Sequence, residues 1–167
     1  MDERSGEEFR EFMQGRWPSM VRLAYGLTGD QGHAEDVVQA AFARAYASWP
    51  RVSRSGNPDA YVRQIVVNEN RNRFRKHRVP EHLTDQLPEH AVADTTGRHD
   101  ERLALIAALQ RLGPRQRAVV VLRYWVGLTE TEAAVVLGCS VGTVKSQASR
   151  ALAALRASTE LVDGGLS

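Results

Sequence analysis

Leu128-Thr129-Glu130-Thr131-Glu132-Ala133-Ala134-Val135-Val136-Leu137-Gly138-Cys139-Ser140-Val141-Gly142-Thr143-Val144-Lys145 is the stretch that decides the fold. Thr129 and Glu132 stand as a capping box: the hydroxyl accepts from a backbone N–H three residues on, and the carboxylate reaches back. A short helix follows, with Ala133, Ala134 and Leu137 inward. Gly138 sits where the chain must turn sharply at positive φ. Ser140 caps the next helix, in which Val144, Ala148, Ala151, Leu152 and Leu155 form one apolar stripe. The other face carries Thr143, Lys145, Ser146, Ser149 and Arg150. This pattern is a helix-turn-helix whose second helix, short-chained and basic on its outer face, fits the DNA major groove. An ordinary αα-hairpin does not require cap, glycine turn, stripe and basic face to coincide. Cys139, in the turn, reads as a small packing residue.

Upstream, the pattern stays helical. Leu103, Ile106, Ala107 and Leu109 to Leu112 make one helix, Gly113-Pro114 restarts the chain, and a helix with Val119, Val120, Leu122, Arg123 and Trp125 ends near Gly127. Residues 79–101 are acidic, hold Pro80, Pro88 and Gly97, and lack periodicity, so they read as a linker. Before them come three further helices. The first carries Phe9, Phe12, Met13, Trp17, Met20, Val21, Ala24 and Leu27, with a bend expected at Pro18. The second runs from an Asp30 cap through Val37, Val38, Phe42 and Trp49 and ends at Pro50. Arg51 to Asn57 reads as a polar loop, and Asn57-Pro58 opens the third helix, with Tyr61, Val62, Ile65, Val66 and Phe74 inward. The class is all-α: two small helical domains, residues 7–78 and 102–158, joined by the acidic linker 79–101.

The 22 basic and 20 acidic residues leave a formal charge of only +2, which on its face argues against a nucleic-acid binder. Mapped along the chain, the charge separates into blocks. Residues 63–78 sum to +5, 79–101 to −5 and 102–158 to +6. Of the basic residues 20 are Arg, whose planar fork suits phosphates and guanine edges. In 63–78, Arg63, Asn68, Arg71, Asn72, Arg75, Lys76 and Arg78 crowd the faces left by the apolar residues. Trp49 and Tyr61 have two readings, as platforms for unpaired bases or as core.

These residues together resemble a bacterial RNA polymerase sigma factor of the extracytoplasmic-function type. The resemblance covers about residues 7–158. It rests on Leu23-Ala24-Tyr25-Gly26-Leu27-Thr28-Gly29-Asp30, on Ala34-Glu35-Asp36-Val37-Val38-Gln39-Ala40-Ala41-Phe42-Ala43-Arg44-Ala45-Tyr46, on Asn57-Pro58 with Ala60-Tyr61 leading to Asn68, and on Leu112-Gly113-Pro114-Arg115-Gln116-Arg117 with the helix-turn-helix. It implies a sigma-2 domain, a linker that enters the polymerase, and a sigma-4 domain. The 34–46 helix would dock on the clamp helices of the β′ subunit through Glu35, Asp36, Gln39 and Arg44. The 51–58 loop would take a flipped base of the −10 element. Asn57, Tyr61, Asn68, Arg71, Asn72 and Arg75 would contact that element, and Thr143, Lys145, Ser146, Ser149 and Arg150 the −35 element. The helices around Leu122, Tyr124 and Trp125 would support docking on the β flap. Many relatives are held by an anti-sigma factor. Asn72, where the family commonly has an acidic residue, and Gln147 and Ser149, where bulkier or basic ones are common, depart from the pattern and bear on promoter preference.

Other classes fit less well. A free-standing dimeric helix-turn-helix regulator is the alternative, and it would bind a palindrome without polymerase. A nuclease needs a carboxylate cluster or nucleophile, and Glu35 with Asp36 lies on the docking helix. The five His residues show no ligand spacing, and one Cys excludes a disulfide framework or a multi-cysteine zinc site. No catalytic group, cofactor, metal or small-molecule substrate is expected. No apolar run approaches membrane-spanning length, and Met1 to Gly6 is too acidic for a signal peptide. The expected location is cytoplasmic, at the nucleoid, and the short C-terminal tail suggests no further regulatory domain.

Overall fold

The computed structural model describes the backbone of residues 2–77 and 97–165, and side chains over 2–73 and 99–158. Residues 79–96 of the expected linker and the side chains of Phe74 and Arg75 lie outside these. Every element among the described residues is helical: α1 (Glu3–Thr28), α2 (Gln31–Ala47), α3 (Trp49–Arg54), α4 (Pro58–His77), α5 (Gly97–Gln110), α6 (Pro114–Val120), a π-helical turn (Val121–Trp125), α7 (Glu130–Leu137) and α8 (Val141–Gly165).

Local chemistry sets the ends of the first helices. The Asp2 carboxylate accepts from the Ser5 N–H at 2.8 Å and starts α1, which continues through Pro18. Gly29, at φ 74°, ends it by donating its N–H to the Tyr25 carbonyl. Only a residue without Cβ adopts that conformation freely, so the turn into α2 falls where the glycine is. Asp30 then caps α2 through the His33 N–H at 2.8 Å.

Two expectations are corrected around Pro50. Helix α2 stops at Ala47, before the proline, and Pro50 sits in the first turn of α3. A first-turn proline loses no hydrogen bond, because its missing N–H has no partner there anyway. The stretch read as a loop from Arg51 is therefore helical as far as Arg54, leaving only Ser55 to Asn57 as the connection. Likewise α5 begins at Gly97, five residues inside the stretch read as linker, with Asp100 in its first turn where a carboxylate complements the helix dipole.

The first three long helices close over Met20, Leu23, Ala24 and Leu27 of α1, Val37, Val38, Ala41 and Phe42 of α2, and Val62 and Val66 of α4. Trp49 is 4% exposed and its ring lies 5.4 Å from Phe9 and 5.2 Å from Phe12, so it belongs to the core. Ile106 and Leu109 of α5, Val119 to Leu122, and Val144, Ala148 and Ala151 of α8 continue the same buried core into the second module. In α7 the buried residues are Ala133, Ala134 and Val136, while Leu137 is half-buried.

The π-helical turn has no counterpart in the sequence reading. Val126 donates to Val121 and Leu128 to Leu122, each at 2.8 Å, which inserts extra chain into the helix that the periodicity extends unbroken to Gly127. The turn buries Leu122 fully, leaves Tyr124 54% exposed and swings Trp125 onto α1. The two helical modules thus meet directly, α1 against the π-helical turn and α5, and α4 against α7.

Candidate nucleic-acid interface

The second helix of the helix-turn-helix is α8, and its first turn is held by the protein's own hydrogen bonds. The Ser140 hydroxyl accepts from the Thr143 N–H at 3.1 Å and pairs with the Thr143 hydroxyl at 2.9 Å. Gly138, at φ 65°, makes the preceding turn, and Cys139, half-buried, packs on the core while its N–H reaches Ala134 at 3.1 Å. Burial of Val144, Ala148 and Ala151 fixes the rotation of α8 about its axis. Thr143, Lys145, Ser146, Ser149 and Arg150 are all exposed as a consequence, and Gln147 is half-buried at the edge of the face.

The capping box is present in both directions. The Thr129 hydroxyl accepts from the Glu132 N–H, and Glu132 accepts from the Thr129 N–H, each at 3.0 Å. The hydrogen bond from the Thr129 backbone, then that from its side chain, hold the Glu132 carboxyl below its ordinary pKa. A depressed carboxyl stabilises the fold above the unfolded-state pKa and loses that contribution as pH falls through the folded one. Glu132→Gln should therefore lower the thermal midpoint at pH 7, and the gap from wild type should close as the solution is acidified below the carboxylate range. A gap that persists in acid would show that the substitution acts some other way.

Asn57, just before α4, and Tyr61, Asn68, Arg71, Asn72 and Arg75 on it follow helical spacing along one stripe. Asn68, Arg71 and Asn72 are exposed on it. Asn57 is partly committed already, because its side-chain oxygen caps α4 by accepting from Ala60 N–H at 3.1 Å; its amide hydrogens face outward chemistry only as donors. Tyr61 is half-buried, and Arg51 donates to its hydroxyl at 2.9 Å with the guanidinium 6.0 Å from the ring centroid. That contact raises the Arg51 pKa further. A loop over 51–57 gives no periodicity that relates Arg51 to Tyr61, whereas α3 does.

Glu35, Asp36, Gln39 and Arg44 are all exposed along α2. The structure pairs two of them with α4: Arg44 with Glu69, and Asp36 with Arg73 at 3.4 Å. Glu35 accepts from Gln31 at 3.2 Å. A cleft of about 340 Å³ between α2 and α4 is lined by Asp36, Arg44, Glu69, Asn72 and Arg73, so Asn72 borders the residues expected to dock as well as the stripe expected at the −10 element. Of the three residues expected at a flap contact, only Tyr124 is freely exposed. Among the described residues no helix is long and apolar enough to cross a membrane.

Comparison with known proteins gives two family matches, Sigma-70 region 2 over residues 17–79 and Sigma-70, region 4 over 102–155. The RNA polymerase sigma-E factor of Streptomyces antibioticus is 40% identical over 156 residues, covering 93% of this chain and 87% of that protein. The ECF RNA polymerase sigma factor SigL of Mycobacterium tuberculosis is 34% identical over 143 residues, covering 81% and 79%. Among solved structures, the sigma factor RpoE of Bartonella quintana, crystallised with the anti-sigma factor NepR, superposes with a TM-score of 0.70 at 24% identity, covering 90% of this chain and 95% of that one.

Proposed function

We propose a residue-level mechanism that starts from one premise: this chain belongs to the extracytoplasmic-function type of sigma-70 RNA polymerase sigma factors. Such a factor binds core RNA polymerase and directs promoter-specific transcription initiation. Residues 7–78 act as the sigma-2 domain and 102–158, extended back over the first turn of α5, as the sigma-4 domain. Thr143, Lys145, Ser146, Ser149 and Arg150 read the −35 element in duplex form. Asn57, Tyr61, Asn68, Arg71, Asn72 and Arg75 engage the −10 element, with Arg51 holding the Tyr61 ring. Glu35, Asp36, Gln39 and Arg44 dock on the β′ clamp helices, and Tyr124 faces the β flap.

The chemistry is differential binding, with no bond made or broken by the chain. Opening a duplex costs about 1.4 kcal/mol per base step. A protein that holds separated bases better than paired ones offsets part of that cost, and each good base contact contributes about 1–3 kcal/mol of discrimination. The chain acts with the polymerase on the chromosome, in the cytoplasm. An anti-sigma factor belongs to the same reading. A groove between α1 and α5, floored by Val21, Tyr25, Leu103 and Ile106, carries Arg22 and Arg102 at its rim and no carboxylate among its described lining, which suits an amphipathic helix with acidic flanks.

The observation that carries the proposal is the outward face of α8, five polar residues held in position by the buried Val144, Ala148 and Ala151. Reconstitution with core polymerase on fragmented genomic DNA tests it. Defined transcript starts absent from core alone are the expected result. Starts identical to those of core alone would sink the assignment.

A further inference from the structure

The corner where α3 meets α4 is fixed by its own hydrogen bonds. Trp49 and Val52 anchor α3 in the core, and Ala60 and Val62 anchor the start of α4. Between them Gly56 turns the chain at φ 83°. The Ser55 hydroxyl donates to the Val52 carbonyl at 2.6 Å and accepts from the Asn57 N–H at 3.3 Å. The Asn57 side-chain oxygen accepts from the Ala60 N–H at 3.1 Å. Arg51, exposed on α3, is thereby held beside Tyr61 of α4, and its guanidinium donates to the Tyr61 hydroxyl at 2.9 Å.

That hydrogen bond has a direction. A guanidinium carries N–H donors and no acceptor, so the phenol oxygen accepts and its own proton cannot point back at Arg51. The Tyr61 hydroxyl therefore presents a hydrogen to its surroundings, and the cation behind it polarises that hydrogen into a stronger donor. The rest of the corner has the same polarity. The Asn57 oxygen is occupied by the Ala60 N–H, which leaves the amide hydrogens outward. Both roles of the Ser55 hydroxyl are taken. Asp59, the one acidic residue between positions 51 and 61, is paired with Arg16 of α1. Arg54 adds a second exposed guanidinium, which donates to the Pro50 carbonyl at 2.9 Å. The outward face of the corner is a set of donors with positive charge.

We propose that Arg51 is a positioning residue that fixes the Tyr61 hydroxyl as a donor, so that this corner selects hydrogen-bond acceptors on promoter DNA. The proposal rests on the sigma-2 reading of residues 7–78 and adds to it the polarity of one contact and the residue that controls it. The acceptor is an oxygen or ring nitrogen of a base, or a phosphate oxygen. The exocyclic amines of adenine and cytosine are donors, and at this hydroxyl they would set donor against donor.

Competitor-challenged lifetimes of open complexes, formed by the full chain with core polymerase, test the assignment. Tyr61→Phe removes the hydroxyl and keeps the ring, and should shorten the lifetime about three- to tenfold, the range of one hydrogen bond. In an Arg51→Met background the same substitution should change the lifetime by less than about twofold, because the hydroxyl is then free to turn. In an Arg51→Lys background its effect should return, since an ammonium also donates and cannot accept. Thermal midpoints should stay within about 2 °C of wild type throughout, whereas a purely structural role would lower them and leave the effect of the hydroxyl intact. Single abasic nucleotides along the non-template −10 strand, then single methylphosphonate linkages, locate the acceptor. One position in one series should erase the difference between wild type and Tyr61→Phe, which identifies a base or a phosphate as its source. An equal effect of Tyr61→Phe in all three backgrounds, no effect in the wild-type background, or a difference that survives every modified template overturns the assignment while the wild type still forms open complexes. A wild-type chain that forms none overturns the sigma-2 reading, and the role of Arg51 with it.

Discussion

Arg117→Ala should lower the thermal midpoint of the chain by roughly 6–12 °C, the equivalent of about 3 kcal/mol for a protein of this size. The reason is the number of groups one side chain serves. The Arg117 guanidinium donates to the carbonyls of Leu109 at 2.9 Å, Gln110 at 3.0 Å, Leu112 at 2.9 Å and Leu27 at 3.2 Å. Three of these lie where α5 runs out, and the fourth is the end of α1, so one cation satisfies the ends of two helices. Burial lowers its pKa, the sign of a charge kept from water. Truncation leaves part-buried carbonyls without donors, and that penalty exceeds the net value of the hydrogen bonds themselves. Arg117→Lys should recover less than half of the loss, because an ammonium presents no planar fork. Calorimetry on the three proteins checks this; a midpoint within 2 °C of wild type for Arg117→Ala would count against it.

Arg150→Ala should reduce initiation from a −35-dependent promoter about tenfold or more, the range set by one base or charged phosphate contact of 1–3 kcal/mol. Lys145→Ala should act in the same direction and flatten the salt dependence of binding by close to one counterion. Both side chains are exposed on a helix whose packing is carried by Val144, Ala148 and Ala151, so helix content and thermal midpoint should stay unchanged. Run-off transcription on a duplex promoter, compared with a template already open around −10, separates reading from melting. The duplex should lose far more than the open template. Equal activity of Arg150→Ala and wild type on duplex DNA would remove that residue from the interface.

What was legible in the sequence is what local chemistry dictates. Thr129 with Glu132, Gly138 and Ser140 are signals within three or four residues of the backbone groups they satisfy, and the structure has each where the spacing puts it. The buried stripe of α8 follows from periodicity alone. Pro50 shows the limit of a local rule: proline stops a preceding helix and starts the next equally well, and only the packing of Trp49 among Phe9 and Phe12 decides for α3. The π-helical turn escapes because it changes the period for a single turn. The contacts of Trp125 with Arg22 and of Arg117 with Leu27 join residues about a hundred positions apart, and nothing in either neighbourhood announces the other. The stripe on α4 proposed to meet the −10 element was visible from helical spacing. The tying of Asp36 and Arg44 to α4 was not, since charged residues on a helix face look alike whether solvated or paired.

That tie between α2 and α4 has an entropic consequence. Two ion pairs exposed to water contribute little to stability, yet together with Val37, Val38, Val62 and Val66 beneath them they leave the two helices one way to sit. A grip on α2 therefore fixes the position of α4 with no further ordering of the backbone. The conformational freedom that a loose helix would surrender on meeting the proposed DNA has been given up during folding. Under the proposed function, the separated strand, not the protein, is then the partner that loses disorder when it is captured.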